Sequence, residues 1–175
     1  MIETFNPYDN SFLKHYQLDT ADMILEKLDN AILGQYNWNL LTLDEKSKYL
    51  KKLAQYLIDH ADNLGTIATL EMGKPLQQSI AEVEKCAWAL NYYAEHSSTF
   101  LQPINIPTDY AESFVSLQPL GTVLAIMPWN YPYWQVFRAM GPILMAGNSM
   151  LLKHASNVTG CGKAIADAMK AVGFP

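Results

Sequence analysis

Apolar residues recur at helical spacing through most of the first hundred residues. Across residues 24–32 they fall at intervals of three and four, as on one face of a helix. A second stripe follows the sequence Thr-Leu-Asp-Glu, in which Thr42 and Glu45 have the spacing of a capping box. A third stripe follows Pro75, a residue that suits the start of a helix. We therefore predict a helical layer over residues 1–100.

The third stripe also predicts which side chains of its helix share the apolar face. The charged residues Glu82, Glu84 and Lys85 lie off that face. The apolar face itself is formed by Ile80, Val83, Ala87, Leu90 and Ala94.

Near Pro103 the helical spacing gives way to β-branched and aromatic residues that alternate with polar ones. The stretch INIPTDYAESFVSLQPLG is interrupted by prolines, which is typical of edge or extended segments rather than of helices. We predict an extended arm or hairpin over residues 101–120.

Residues 121–175 alternate between short apolar runs and helical segments. The runs TVLAIM and SMLLK are continuous, as in strands covered on both faces. The first precedes the helical segment YWQVFRAMGPILMAG, which should end at Gly147 and Asn148, and the second precedes TGCGKAIADAMKAVGFP. This order predicts a βαβα unit with parallel strands. The fold class is α/β: N-terminal helices and a β arm lead into an open, incomplete parallel sheet.

Composition narrows the classes of protein and of partner. Half of the 175 residues are apolar and 17% are charged, which is typical of a globular chain. The net charge of −5 and the absence of a basic stripe argue against a nucleic-acid partner. No apolar run reaches the roughly 18 residues of a membrane helix, so we expect no membrane partner. Two distant cysteines without a secretory segment predict a cytoplasmic location.

The most unusual short stretch is MPWNYP, which closes the first predicted strand. Pro128 and Pro132 restrict the backbone on both sides of Asn130. A rigidly held side-chain amide at a strand end could stabilise charge that develops in a transition state, as in an oxyanion hole. A turn-capping asparagine is the alternative, and spacing alone favours it.

Two other residues near strand or helix ends could bind a ligand. Lys153 and Ser156 follow the second predicted strand and precede a helix, a setting that suits a phosphate or ribose. A snorkelling lysine and a helix cap are the alternative. Arg138 lies in an otherwise apolar helix, where it could bind a substrate carboxylate or form an ion pair.

Several common motifs are absent. No strand is followed by the Gly-x-Gly-x-x-Gly fingerprint, and GCGKA lacks the other residues of a phosphate-binding loop. The histidines have no metal-ligand spacing. Cys86 is expected to be a packed helix residue. Cys161 could lie at a helix N-terminus, which would lower its pKa, but with no candidate base nearby in sequence we expect an inert thiol.

The stretch PLGTVLAIMPWNYPYWQVFRAMGPILMAGNSMLLKHAS closely resembles the aldehyde dehydrogenase superfamily. EMGKPLQQSIAEVEKCAWALNYYAEH and the N-terminal FNPYD are similar to the same family, so the resemblance covers nearly the whole chain. Among its branches, the NAD(P)-dependent succinate-semialdehyde dehydrogenases are the most similar. The resemblance implies that residues 1–175 are a single partial NAD(P)-binding domain, the N-terminal part of a Rossmann-like cofactor domain, without the catalytic domain.

In this family a cysteine attacks the aldehyde, hydride passes to the nicotinamide, and a glutamate-activated water hydrolyses the thioester. The cofactor is bound without the glycine fingerprint. The resemblance implies that Asn130 is the oxyanion-hole donor. It also implies that four residues line the cofactor: Ile126, Met127, Pro128 and Trp129.

The resemblance also implies roles for Lys153, Ser156 and Arg138. Lys153 would hold the adenosine ribose or its 2′-phosphate. Many NAD-preferring members carry a glutamate where Ser156 stands, and a serine does not repel a phosphate, so either NAD or NADP is expected as cofactor. Arg138 aligns with the arginine that binds the substrate carboxylate in the succinate-semialdehyde branch.

The family's nucleophilic cysteine and general-base glutamate have no counterpart in this sequence, since neither Cys86 nor Cys161 aligns with the nucleophile. We therefore expect these 175 residues to be inactive alone. The alternative is a non-catalytic fragment, truncated or from a split gene. It would act as a nucleotide-binding or interaction module that self-associates or binds a complementing C-terminal half. A CoA-acylating or phosphate-reducing relative is a further reading, which the complete Asn130 motif disfavours.

Overall fold

The computed structural model describes all residues from 1 to 175. Two strands open the chain, followed by four helices, a short two-stranded arm and a β-α-β-α unit. The strands are β1 Ile2–Phe5, β2 Phe12–Tyr16, β3 Ile104–Asn105, β4 Phe114–Val115, β5 Thr122–Met127 and β6 Ser149–His154. The helices are α1 Ala21–Asn39, α2 Leu43–Asp59, α3 Ala61–Met72, α4 Leu76–Phe100, α5 Trp134–Met145 and α6 Thr159–Val172, with a short 3₁₀ helix at Ser156–Val158.

The predicted helical layer is wrong for the first residues, because β1 and β2 pair as an antiparallel hairpin. The segment between them contains several turn-forming residues. The Asn6 side chain accepts a hydrogen bond from the Tyr8 amide, and the Asp9 side chain accepts one from the Ser11 amide. Asn10 has a φ of 58°, a left-handed conformation that asparagine tolerates better than most residues. Local turn chemistry therefore sets the structure here, where helical periodicity is absent.

From Ala21 onward the predicted helices are present. Thr42 and Glu45 form the capping box at the start of α2, with hydrogen bonds in both directions. Gly73 ends α3 in the left-handed conformation, and Pro75 precedes α4. A single apolar core joins α2, α3, α4, α5 and α6; its fully buried members include Leu50, Leu53, Leu57, Val83, Leu90, Val136 and Phe137.

The apolar stripe of α1 lies on the surface. Ile24, Leu25 and Ile32 are all more than half exposed, and no element of residues 1–175 covers them. The helix is anchored near its C-terminal end, where the Gln35 side chain donates a hydrogen bond to the Gly147 carbonyl at 2.9 Å and the buried indole of Trp38 donates one to the Leu144 carbonyl at 2.7 Å. Periodicity therefore predicted the helix correctly, but it did not predict what the apolar face packs against.

The arm between the two halves of the chain is a hairpin, as predicted. Its strands β3 and β4 pair antiparallel, with Ile104 opposite Val115. The apolar side chains of Ile104, Phe114 and Val115 are exposed.

The α/β fold class is confirmed by the last third of the chain. β5 and β6 are parallel neighbours, and their register runs from Thr122 opposite Ser149 to Met127 opposite His154. Gly147 has a φ of 86° in the turn before β6, which is a conformation that favours glycine. The Asn148 side chain accepts hydrogen bonds from the amides of Leu120 and Gly121, so it ties the starts of the two strands together. None of the helices is both long and apolar enough to cross a membrane.

Candidate functional site

The carboxyl ends of β5 and β6 bring the predicted cofactor residues to one edge of the sheet. Ile126 pairs with Lys153 in the parallel register, and both side chains are exposed. Met127 is half-buried and packs against the core. Beyond the strands, Pro128, Trp129 and Ser156 are also exposed. The edge therefore combines an accessible apolar wall with an ammonium and a hydroxyl group.

Asn130 lies in the turn between β5 and α5 and is exposed. Its side chain makes no hydrogen bond with any residue from 1 to 175, so the amide does not cap the turn and its donors are available. The turn is anchored on its far side by Pro132 and Tyr133, both buried. The Tyr133 hydroxyl donates a hydrogen bond to the Leu64 carbonyl at 3.0 Å.

A buried carboxylate holds the backbone that follows Asn130. The Oε1 atom of Glu82 accepts hydrogen bonds from the amides of Tyr133 and Trp134, each at 2.9 Å. The same carboxylate forms an ion pair with Lys74. Glu82 is only 5% exposed, although helical periodicity placed it off the apolar face of α4. Its partners come from α5 and from the α3–α4 connection, so spacing within one helix could not reveal them.

Glu71 caps the start of α6 in the way that Glu82 caps the start of α5. Its two carboxylate oxygens accept hydrogen bonds from the amides of Gly160 at 2.8 Å and Cys161 at 2.9 Å. Burial, with the negative charge of Glu71 nearby, raises the pKa of Tyr16 to about 12. The N-terminus of a helix is an ordinary site for anions, but this one is already filled by a carboxylate. A phosphate near Lys153 and Ser156 would therefore have to bind without the dipole of α6.

Neither cysteine has the properties of a nucleophile. Cys161 lies at the start of α6 but is fully buried, and burial together with the Glu71 carboxylate raises its pKa. The suggestion that the helix N-terminus would lower this pKa is wrong, because burial disfavours the thiolate and the Glu71 carboxylate already occupies that terminus. Cys86 is also fully buried in α4, and burial raises its pKa well above the ordinary value. Both thiols are packed core groups, which was predicted for Cys86 only; the burial of Cys161 agrees with the inert thiol expected there.

His154 connects the end of β6 to the Asn130 turn, and sequence reasoning assigned it no role. Its Nδ1 atom lies 2.9 Å from the Ala155 amide, which donates to it. The proton of a neutral ring is then on Nε2, which donates to the Pro132 carbonyl at 2.8 Å. Burial lowers the pKa of His154, which favours this neutral form. The sequence offers no signal for this role, because the Pro132 carbonyl is 22 residues away.

Arg138 lies on α5, one helical turn after Trp134, and is exposed. Its Nη2 atom donates a hydrogen bond to the Gln135 side chain at 3.1 Å. The three ion pairs among residues 1–175 do not include it. Its guanidinium group is therefore accessible on the same helix that follows the Asn130 turn.

The sequence of this chain is similar to those of known dehydrogenases over nearly its whole length. A curated protein of Synechocystis, named "probable succinate-semialdehyde dehydrogenase" with NADP+, is 42% identical over 99% of the chain. The succinate semialdehyde dehydrogenase (NAD(P)+) of Escherichia coli is 38% identical over 98% of it. The chain spans 38% and 37% of the lengths of these two relatives.

A solved structure has the same fold over the whole chain. The succinic semialdehyde dehydrogenase of Streptococcus pyogenes, in complex with NADP+, superimposes with a TM-score of 0.95 at 30% identity. The match covers 100% of this chain and 39% of that protein. The sequence profile of the aldehyde dehydrogenase family matches residues 1–175. The chain therefore belongs to the aldehyde dehydrogenase family.

Proposed function

We propose that residues 1–175 are the N-terminal part of the cofactor-binding domain of a dehydrogenase. This enzyme would oxidise an aldehyde, succinate semialdehyde, to its carboxylic acid with NAD(P)+. The observation that carries the proposal is the side-chain amide of Asn130, which makes no hydrogen bond and lies on a turn anchored at Pro132 and Tyr133. It lies at the carboxyl ends of β5 and β6, where ligands of open α/β sheets bind. The relatives whose names specify succinate semialdehyde support the substrate class.

The residues at the sheet edge fit a nicotinamide dinucleotide. Ile126 is 68% exposed and, with Trp129, offers an apolar surface to a flat ring. Lys153 and Ser156 offer donors to a ribose hydroxyl or to a 2′-phosphate, and no carboxylate among residues 153–156 repels the phosphate. The edge is therefore compatible with both NADP and NAD. When bound, the cofactor would supply the oxidising equivalent, as an acceptor of hydride.

The chain's own residues would orient the substrate and stabilise charge. Asn130 would donate a hydrogen bond to the aldehyde oxygen as that oxygen becomes negative, which lowers the barrier because the turn that carries the donor is already anchored. Arg138 would bind the distal carboxylate of succinate semialdehyde, since a planar guanidinium matches a carboxylate. Gln135 already holds one edge of that guanidinium in place.

We further propose that residues 1–175 alone do not catalyse the reaction, because both cysteines are buried with raised pKa values. The test incubates the purified chain with succinate semialdehyde and either cofactor, and follows the reduced nicotinamide. No turnover above a blank is expected, and clear turnover would contradict the proposal. Titration of both cofactors measures which of them the edge prefers.

An interaction module is a second candidate, which the exposed apolar surfaces support. Leu124 and Ile126 on β5 and Ile24 and Leu25 on α1 are all more than half exposed. β5 and β6 each have one edge without a neighbouring strand. Such surfaces favour association with a second copy or with a chain that supplies the remaining dehydrogenase. Sedimentation of the purified chain tests this, and a well-behaved monomer at high concentration would argue against it.

A further inference from the structure

Two charged side chains from outside the turn contact the backbone and side chains around Asn130. Glu82 on α4 accepts hydrogen bonds from the amides of Tyr133 and Trp134. Lys74, from the α3–α4 connection, pairs with the same carboxylate. Its ammonium group also lies 3.8 Å from the centroid of the Tyr131 ring. The contacts therefore begin at the residue next to Asn130 and continue to the first residue of α5.

Glu82 and Lys74 are both buried, so their charges have to be satisfied by each other and by nearby donors. The side chains of Glu82 and Lys74 are 3% and 9% exposed. A buried charge is costly unless it is paired and hydrogen-bonded, and a buried ion pair adds stability only when its geometry is good. Glu82 satisfies this requirement with two backbone donors and one ammonium group. The carboxylate cannot move away without leaving these three groups unpaired.

The prolines alone do not fix the place of the turn. Pro128 and Pro132 restrict the backbone dihedrals near Asn130, but they do not determine where the turn lies relative to the helical layer. Glu82 provides that connection, because it joins α4 to the backbone three and four residues after Asn130. Lys74 adds an interaction with the face of Tyr131, as expected for a cation above an aromatic ring.

We propose that Lys74 and Glu82 are positioning residues that hold the turn carrying Asn130 in place. They touch neither the cofactor edge nor the Asn130 amide, so they act through the backbone amides of Tyr133 and Trp134 and through the Tyr131 ring. The importance of this role for catalysis rests on the proposed function, in which the held turn places the Asn130 amide within hydrogen-bond reach of the aldehyde oxygen. The structural part does not depend on that function and can be measured in the isolated chain.

The test is amide hydrogen exchange in the ¹⁵N-labelled 175-residue chain. Glu82→Ala removes the acceptor of the Tyr133 and Trp134 amides. We expect both amides to exchange at least about tenfold faster relative to the core amide of Leu53, because the loss of a charge-assisted hydrogen bond changes an opening equilibrium by about that factor. Glu82→Gln keeps an acceptor oxygen and should retain most of the protection. Glu84→Ala is the matched control, because Glu84 is an exposed carboxylate on the same helix.

Lys74→Met provides a second test that leaves the Glu82 carboxylate in place as the acceptor. It should shift the side-chain amide resonances of Asn130 and the backbone resonance of Tyr131, whereas Lys51→Met, at an exposed site of α2, should leave both unchanged. If Glu82→Ala does not fold, the Lys74→Met and Glu82→Gln results decide the question. Unchanged Asn130 and Tyr131 resonances in Lys74→Met, or equal acceleration of the Leu53 and Tyr133 amides in a folded Glu82 variant, would overturn the proposal.

The two proposals fail in different measurements. If the positioning role is wrong, these variants behave like Glu84→Ala, while cofactor titration of the unmodified chain still perturbs the residues near Lys153. If the proposed function is wrong, the cofactor titration is silent, while the exchange of the Tyr133 and Trp134 amides still depends on Glu82.

Discussion

The imidazole of His154 donates a hydrogen bond from Nε2 to the carbonyl oxygen of Pro132, at 2.8 Å. This contact joins the end of β6 to the turn that carries Asn130. Because Nδ1 accepts from the Ala155 amide, the ring is held in one neutral tautomer. The two strand ends of the proposed cofactor site are thus connected by a group whose charge depends on pH.

Protonation of His154 should destabilise the chain. Its pKa is lowered chiefly by burial and slightly by Lys153, while hydrogen bonding to the carbonyls of Pro132 and Met127 and the charge of Glu71 oppose the shift. Below about pH 6.5 the unfolded chain binds a proton that the folded chain does not bind at the same pH, so the free energy of unfolding decreases as pH falls. Urea unfolding at about pH 7.5 and about pH 5.5 measures this change.

The His154→Gln variant isolates this contribution, since glutamine is a neutral donor at both pH values. Its free energy of unfolding should depend less on pH than that of the unmodified chain. His96→Gln, at an exposed site, is the control and should keep the original dependence. An identical pH dependence in His154→Gln and the unmodified chain would show that His154 does not titrate as described.

Removal of the Glu71 carboxylate should weaken the start of α6. Glu71→Ala leaves the half-buried amide of Gly160 and the buried amide of Cys161 without their acceptor, so we expect a loss of about 1–3 kcal/mol in the free energy of unfolding. The freed helix N-terminus should also bind inorganic phosphate, visible as shifts of these two amides. Exposed Glu26→Ala should change neither quantity, and phosphate binding by the unmodified chain at the same amides would contradict the account.

The hydroxyl of Tyr133 should contribute to stability through the Leu64 carbonyl. Tyr133→Phe removes a fully buried donor, but the Leu64 carbonyl lies within α3 and keeps the helical acceptor position for the amide four residues on, so the loss should be about 0.5–1.5 kcal/mol. Tyr110→Phe is the matched control, because Tyr110 is 83% exposed and its hydroxyl has no partner. Chemical denaturation distinguishes the two variants, and equal small effects would mean that the buried hydrogen bond adds little.

A carboxylate at position 156 should discriminate against NADP+. Ser156→Glu would place a negative charge near the proposed 2′-phosphate site, and two charges at an accessible site repel by about 1 kcal/mol or more. We therefore expect NADP+ affinity to fall at least about fivefold relative to NAD+ affinity. Calorimetric titration measures both, with Ser156→Gln as the uncharged control. A parallel loss of both affinities would argue against a phosphate at this site.

The secondary structure of the last third could be predicted because its signals are local. Apolar runs of strand length and a glycine stop at Gly147 defined β5, α5 and β6, and the parallel pairing followed from their order. The N-terminal hairpin was missed because its turn depends on Asn6, Asp9 and Asn10 rather than on periodicity.

The site was predictable only in part, for a different reason. Asn130, Lys153 and Ser156 stand next to strand ends, so topology alone brings them to one edge. Glu71 and Glu82 belong to other helices, and only tertiary packing places them against the starts of α6 and α5. Buried carboxylates that cap distant helices leave no pattern within their own segment.

Chemical-shift mapping with NADP+ tests the central claim most directly. The claim is that the carboxyl ends of β5 and β6 form the cofactor edge. We predict that NADP+ perturbs the backbone amides of Ile126, Trp129, Lys153 and Ser156 in the 175-residue chain, and that Lys153→Met weakens this binding. The absence of perturbation at saturating NADP+, or perturbation confined to other surfaces, would contradict the account.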